Sequence, residues 1–182
     1  MQIITGKYRA RKLMSVPSEG TRPTLARVKE SVFNLVQDKI TGSIALDLFA
    51  GSGAFGVECI SRGAEKVYFV DKEEIAIKTI KQNTKNMIED FEILKSDYVS
   101  ALQNFDKKGV KFNLVYLDPP FKSDFALNAL NLLDKFGLLE DNATIIVEHS
   151  GENDLKNLPA CYIIEKSKKY GTIFVDVLSY KI

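Results

Sequence analysis

The stretch Leu46-Asp47-Leu48-Phe49-Ala50-Gly51-Ser52-Gly53-Ala54-Phe55-Gly56 decides the reading of this chain. The apolar run Ile44–Phe49 leads into it, and Ala54–Ser61, spaced as a helix, leads out. Gly51, Gly53 and Gly56 complete a G-x-G-x-x-G pattern. Glycine lets the chain turn sharply and lets a ligand approach the backbone. Strand, glycine loop and helix in that order open a unit that binds an adenosine-type cofactor.

Outward from the loop the pattern alternates. Lys66–Val70, Phe91–Leu94, Phe112–Leu117 and Thr144–Val147 read as strands, and Glu74–Met87, Tyr98–Phe105 and Asp124–Asp134 as helices. Five short apolar strands alternating with helices predict an α/β, doubly wound, three-layer architecture with a mostly parallel sheet. Right-handed crossovers then bring every strand's C-terminal end to one edge, where such sheets bind ligands. The ending differs. Cys161–Ser167 and Thr172–Tyr180, joined by Lys168–Gly171 with no helix between, predict a C-terminal antiparallel hairpin. That departs from the symmetric dinucleotide fold.

Residues 1–40 are expected to form a separate N-terminal extension on a main domain of residues 41–182. Gln2–Thr5 and Lys12–Val16 read as strands around a basic turn. Thr24–Gln37 reads as a helix, with Leu25, Val28, Val32, Phe33 and Val36 on one stripe. The chain has 182 residues and a net charge of +1, which conceals an asymmetry. Residues 1–29 hold seven basic residues and one acid, Glu19, so the remainder is mildly acidic. A basic block on an acidic body fits a polyanion partner, or simply a solvated charged arm. Cys59 and Cys161 stand far apart in apolar surroundings, outside any metal-ligand spacing, so no metal is expected. The sequence lacks an apolar run near the ~18 residues of a membrane span and lacks a signal peptide, so a cytoplasmic setting is expected.

Asp47, Asp71 and Asp97 end or follow three successive strands. A pyrophosphate on the helix N-terminus would be repelled by Asp47. A cationic ligand would not. S-adenosylmethionine, with its amino group and sulfonium, therefore fits better than a nicotinamide dinucleotide. Asp71 suits ribose hydroxyls, and Asp97 suits an adenine amine, a helix cap, or both. The candidate cofactor-binding residues are Asp47, Phe49, Ala50, Gly51, Ser52, Gly53, Asp71, Lys72, Asp97 and Tyr98.

After the fourth strand comes Asp118-Pro119-Pro120-Phe121. Two prolines stiffen the loop and remove two N–H donors, leaving carbonyl acceptors. A carboxylate, a rigid carbonyl and an aromatic ring suit an exocyclic amine on a flat base. Asp118 and the Pro119 carbonyl would orient the amine and Phe121 would stack on the base. Asp118, Pro119, Pro120 and Phe121 are thus the candidate catalytic residues. His149, the single histidine, is read as structural or peripheral.

Asp47-Leu48-Phe49-Ala50-Gly51-Ser52-Gly53 followed by Asp118-Pro119-Pro120-Phe121 resembles the amino-methylating class I methyltransferases. Gly6-Lys7-Tyr8-Arg9-Ala10-Arg11-Lys12-Leu13 and the segment from Arg22 to Asn34 narrow the resemblance to the RsmD family, bacterial enzymes that methylate guanine N2 of 16S ribosomal RNA. The resemblance spans nearly the whole chain. It implies a seven-stranded sheet, S-adenosylmethionine as cofactor, and 16S rRNA as partner, either as naked RNA or within a small-subunit assembly particle. It implies that Arg22 and Thr24 border the cofactor cleft and that Lys7, Arg9, Arg11, Lys12 and Arg27 contact RNA. A monomer is the default expectation. Two other readings stay open: an adenine-N6 or other amino methyltransferase, and a noncatalytic ribosome-assembly factor with the same fold.

Overall fold

The computed structural model describes residues 1–17, 24–120, 124–150 and 155–182, and the backbone alone for residues 24–27 and 156. Seven strands form one sheet: β1 Ile44–Leu48, β2 Lys66–Asp71, β3 Asp90–Lys95, β4 Phe112–Leu117, β5 Leu139–Ser150, β6 Tyr162–Tyr170 and β7 Ile173–Tyr180. Their order is β3-β2-β1-β4-β5-β7-β6. The first five are parallel, and β7 runs antiparallel to both β5 and β6. The five helices are α1 Thr24–Val36, α2 Ala54–Ser61, α3 Glu74–Asn83, α4 Tyr98–Lys108 and α5 Phe125–Lys135.

Alternate strand residues feed two cores. Val28, Phe33, Phe55, Ile60, Ile77 and Ile80 of α1 to α3 pack on Ala45, Val67, Phe69, Leu114 and Ile146. Leu102, Phe105, Leu130 and Leu133 of α4 and α5 pack on Leu46, Leu48, Val115, Leu117 and Val147. Both faces of the central strands are thereby buried, which is why they read as continuous apolar runs rather than alternating ones. The order reverses between β1 and β4, the neighbours that carry the glycine loop and the double proline. Ligands of open α/β sheets bind at such a reversal.

Several boundaries differ from the sequence reading, among them the end of α3, which stops at Asn83 rather than Met87. β5 runs from Leu139 to Ser150 rather than only Thr144–Val147, because its later residues pair with β7 from Thr144↔Ser179 to Ser150↔Ile173. The hairpin turns on Gly171-Thr172 alone, with Gly171 left-handed at φ 62°, so Lys168 to Tyr170 belong to β6. The N-terminal strands reduce to a single bridge, Gln2↔Lys12. Gly6 and Ala10 turn there with positive φ; the Ile3, Ala10 and Leu13 N–H groups bond across the arm, while those of Ile4 and Thr5 go to the helix layer.

That arm shares the core of α1 to α3 through Ile3 and Leu13. Glu58 of α2, fully buried, accepts the Ile4 and Thr5 backbone N–H groups at 2.9 Å each. It also takes Arg62 Nε at 3.0 Å and Lys29 Nζ at 3.2 Å. Burial lowers the affinity of the Lys29 amine for its proton, and Glu58 holds it up. No described helix is long and apolar enough to cross a membrane, and no described cluster of three or more His, Cys, Asp or Glu could hold a metal.

Candidate active site

The glycine loop is held from two sides. The Gly51 N–H donates to Asp71 Oδ2 at 2.8 Å, and the Gly56 N–H donates to Asp47 Oδ2 at 2.9 Å. Each glycine has its own reason. Gly53 is left-handed at φ 72°, and a Cβ there would meet Phe69 and Ile80 at 3.1 Å. At Gly56 a Cβ would sit 2.3 Å from the Phe69 ring, so α2 lies on β2 only because no side chain intervenes. Gly51 is left-handed as well, but open space lies where its Cβ would be. Phe49 adopts φ 70°, an unusual conformation for a bulky residue and of the kind found at functional sites.

Asp47 is buried. Its Oδ2 is occupied by Gly56, while Oδ1 is buried and has no hydrogen-bond partner. Burial pushes its carboxyl up to about 7, against the Gly56 N–H, which stabilises the anion; nearby Asp71 adds to the rise. An orphaned, buried carboxylate oxygen just before the glycine loop fits the amino group of S-adenosylmethionine, which would satisfy it. Asp71 splits its carboxylate between Gly51 and the Glu73 N–H at 2.9 Å, which fixes its orientation at the end of β2. Lys72, beside it, is exposed and 3.8 Å from Glu73. Asp97 caps α4 by accepting the Ser100 N–H at 2.9 Å, and this bond holds its carboxyl below the ordinary range. Tyr98 joins Phe49 and Phe125 in an aromatic cluster, with centroids 5.4 Å from each. Those three rings form an apolar wall at the strand ends on the α4–α5 side, suited to a flat ring.

Asp118 follows β4 directly. Leu48 pairs with Leu117, so Asp118 lies one step past β4's last partner in β1. Burial pushes its carboxyl well above the ordinary range, and Glu148 and Asp47 push it further. Pro119 is buried and Pro120 exposed, both with trans peptides. Ala50 and Ser52 lie in the loop, and the Ser52 carbonyl accepts from Asn83 Nδ2 at 2.9 Å. The same Asn83 bonds the Met14 N–H and carbonyl, fastening the N-terminal arm to the glycine loop. Phe121, Arg22 and the side chains of Thr24 and Arg27 lie outside the described residues.

The basic residues of the arm lie elsewhere. Lys7 Nζ meets Glu89 at 2.6 Å and its N–H bonds the Ser61 carbonyl at the end of α2. Burial works against ionisation of Glu89, yet the Lys7 and Tyr8 hydrogen bonds pull its carboxyl down to about 2. Arg11 donates to the Lys85 carbonyl at 2.5 Å. Glu89 and Lys85 precede β3, so Lys7 and Arg11 sit at the edge where strands begin, opposite the acids. Arg9 and Lys12 are exposed and line a groove of about 710 Å³ with Lys29, Ile3 and Leu13.

Four residues at or behind the site carry no motif: Glu148, Tyr116, Phe125 and Asn83. Glu148 alone left a readable signal. It follows the apolar end of the fifth strand as Asp118 follows the fourth. His149, its neighbour, points its Nε2 to Asp176 at 2.9 Å.

The strand order, reversed seventh strand and glycine loop define a class I methyltransferase fold. Residues 1–179 match the family described as conserved hypothetical protein 95, and the chain belongs to that family, the RsmD family. It is 36% identical over 179 residues to the Bacillus subtilis protein YlbH, covering 97% of each chain. It is 34% identical over 174 residues to the ribosomal RNA small subunit methyltransferase D of Escherichia coli, covering 95% of this chain and 86% of that one. The solved structure of the Escherichia coli protein yhhF matches with a TM-score of 0.87 at 32% identity, over 100% of this chain and 98% of that one.

Proposed function

We propose that the protein methylates the exocyclic N2 amine of a guanine in 16S rRNA, using S-adenosylmethionine. The observation that carries this reading is the placement of Asp118 and the Pro119 carbonyl one step past the strand that neighbours the glycine loop. There the orphaned Oδ1 of Asp47 can receive the cofactor's amino group. S-adenosylmethionine supplies an electrophilic methyl group on a sulfonium.

The chain's part is positioning and electrostatics. An aromatic amine is a poor nucleophile because its lone pair is delocalised into the ring. Asp118 and the Pro119 carbonyl accept its two N–H bonds, fix it in line with the methyl and free the lone pair. The nitrogen lone pair forms the new N–C bond, the S–C electrons stay on sulfur, and the proton shed by nitrogen passes to Asp118. A base stacked in a duplex cannot reach this edge, so the target is flipped out or lies in a loop. Names among the relatives support ribosomal RNA as substrate.

The test is Asp118→Ala. Transfer into small-subunit rRNA should fall by about a thousandfold or more, the upper range for losing a transition-state contact. Calorimetric binding of S-adenosylmethionine should persist. Undiminished turnover would remove Asp118 from the reaction, and failure of the wild type to bind S-adenosylmethionine would remove the cofactor assignment.

A further inference from the structure

Glu148 lies on β5, one residue past Val147, and Val147 pairs with Leu117, one residue before Asp118. Continuing that register sets Glu148 directly across from Asp118. Glu148 is 3% exposed, and its Oε1 accepts the Tyr116 hydroxyl at 2.5 Å. Tyr116 is two residues before Asp118, so both side chains leave β4 on the same face. The Tyr116 ring is fixed in turn by stacking on Phe55, with centroids 4.3 Å apart. A carboxylate is thus buried, oriented and clamped beside the carboxylate that faces the substrate.

We propose that Glu148 is a positioning residue for methyl transfer: clamped by Tyr116, its negative charge acts through Asp118 and makes that carboxyl a stronger acceptor of the amine proton. The inference rests on the reading of Asp118 given above. The acid-base groups around Asp118 are Asp47 of β1, Tyr116 of β4 and Glu148 of β5. Lys29 of α1 acts on Asp47. All but Lys29 are acids, and two like charges this close disfavour joint ionisation. Burial raises Glu148 as well, and the Tyr116 hydrogen bond opposes that rise. The Tyr116 hydrogen bond therefore favours the charged form of Glu148.

This arrangement changes sign usefully during the reaction. A sulfonium held at this edge would offset Glu148 and favour ionised Asp118, ready to accept the amine N–H. Once the methyl has moved, sulfur is neutral and the offset is gone. Asp118 then gains proton affinity just when nitrogen must lose a proton. Charge balances throughout: one cation and one anion become two neutral groups.

The experiment is carbon-13 NMR titration of the side-chain carboxyls in the intact protein, which needs no turnover. In wild type, Asp118 should titrate above the ordinary carboxylate range. In Glu148→Gln it should titrate lower by about one pH unit or more, a tenfold drop in proton affinity. With S-adenosylmethionine bound it should titrate lower than with S-adenosylhomocysteine, which lacks the sulfonium. An Asp118 titration unmoved by Glu148→Gln would overturn the proposal. Should Glu148→Gln fail to fold, Asp118→Asn provides the reciprocal test: Glu148 must titrate lower than in wild type, and an unmoved Glu148 overturns the proposal equally. Loss of the ligand-dependent shift alone, with the mutual shifts intact, would instead count against the cofactor assignment.

Discussion

Asp47 couples the fold to its ligand through one carboxylate oxygen. In the unfolded chain its pKa is ~3.9, and in the fold burial brings it up to about 7. The folded state therefore binds the proton more tightly, and stability falls as pH rises from ~4 to about 7, then levels off. A cationic amino group binds the ionised form, so ligand affinity should climb over the same interval and flatten above about 7. Calorimetry with S-adenosylhomocysteine, which keeps the amino group and lacks the sulfonium, isolates this effect from Asp118. Asp47→Asn should remove the pH dependence and weaken binding by about 2 kcal/mol or more. Gly56 offers a steric test at the same scale. Gly56→Ala would push a methyl to 2.3 Å from the fully buried Phe69 ring. Overpacking of this kind costs about 1–3 kcal/mol, read as a lower urea midpoint with an unchanged slope. Residues of this sort were legible in the sequence because their meaning is local: a glycine before a helix, an acid at a strand end. Glu148 showed its place at a strand end but not its role, because that role depends on Asp118, thirty residues away and one strand over.

The helix α2 ties the N-terminal arm to the cofactor loop. It begins at the glycine loop and carries Glu58, whose buried carboxylate receives donors from the arm, from α1 and from its own last turn. In the sequence Glu58 belongs to no motif. Its burial follows from Ile4 and Thr5, whose backbone N–H groups need an acceptor that no partner strand supplies. Glu58→Gln puts an amide N–H₂ among these donors and should cost about 3 kcal/mol, seen in thermal unfolding. Proteolysis within residues 1–17 should accelerate in parallel, since the arm loses its anchor first. The helices and strands of the sheet were legible because each is long enough to show its period. Their ends were not, since β5 is extended by pairing with β7 and α3 stops at Asn83 to clasp Met14.

Across the molecule the near-neutral charge separates into two edges. The acids Asp47, Asp71, Asp97 and Asp118 stand where strands end, and Lys7 and Arg11 are fixed where strands begin. We propose that the groove lined by Arg9, Lys12 and Lys29 is the surface that the arm offers to RNA. Replacing Arg9 and Lys12 together by alanine should weaken RNA binding and reduce the slope of log affinity against log salt by about 1.5, the loss of two phosphate contacts. An unchanged slope would place the RNA on another face. The sequence announced the basic block but not its distance from the acids, which only the path of the arm over α2 and α3 sets. The most direct measurement is nucleoside mapping after labelled methyl transfer from S-adenosylmethionine into small-subunit particles that lack the modification. Label is expected in N2-methylguanosine at a single site in 16S rRNA; label at adenine N6, or none in RNA, would contradict the proposed guanine methylation.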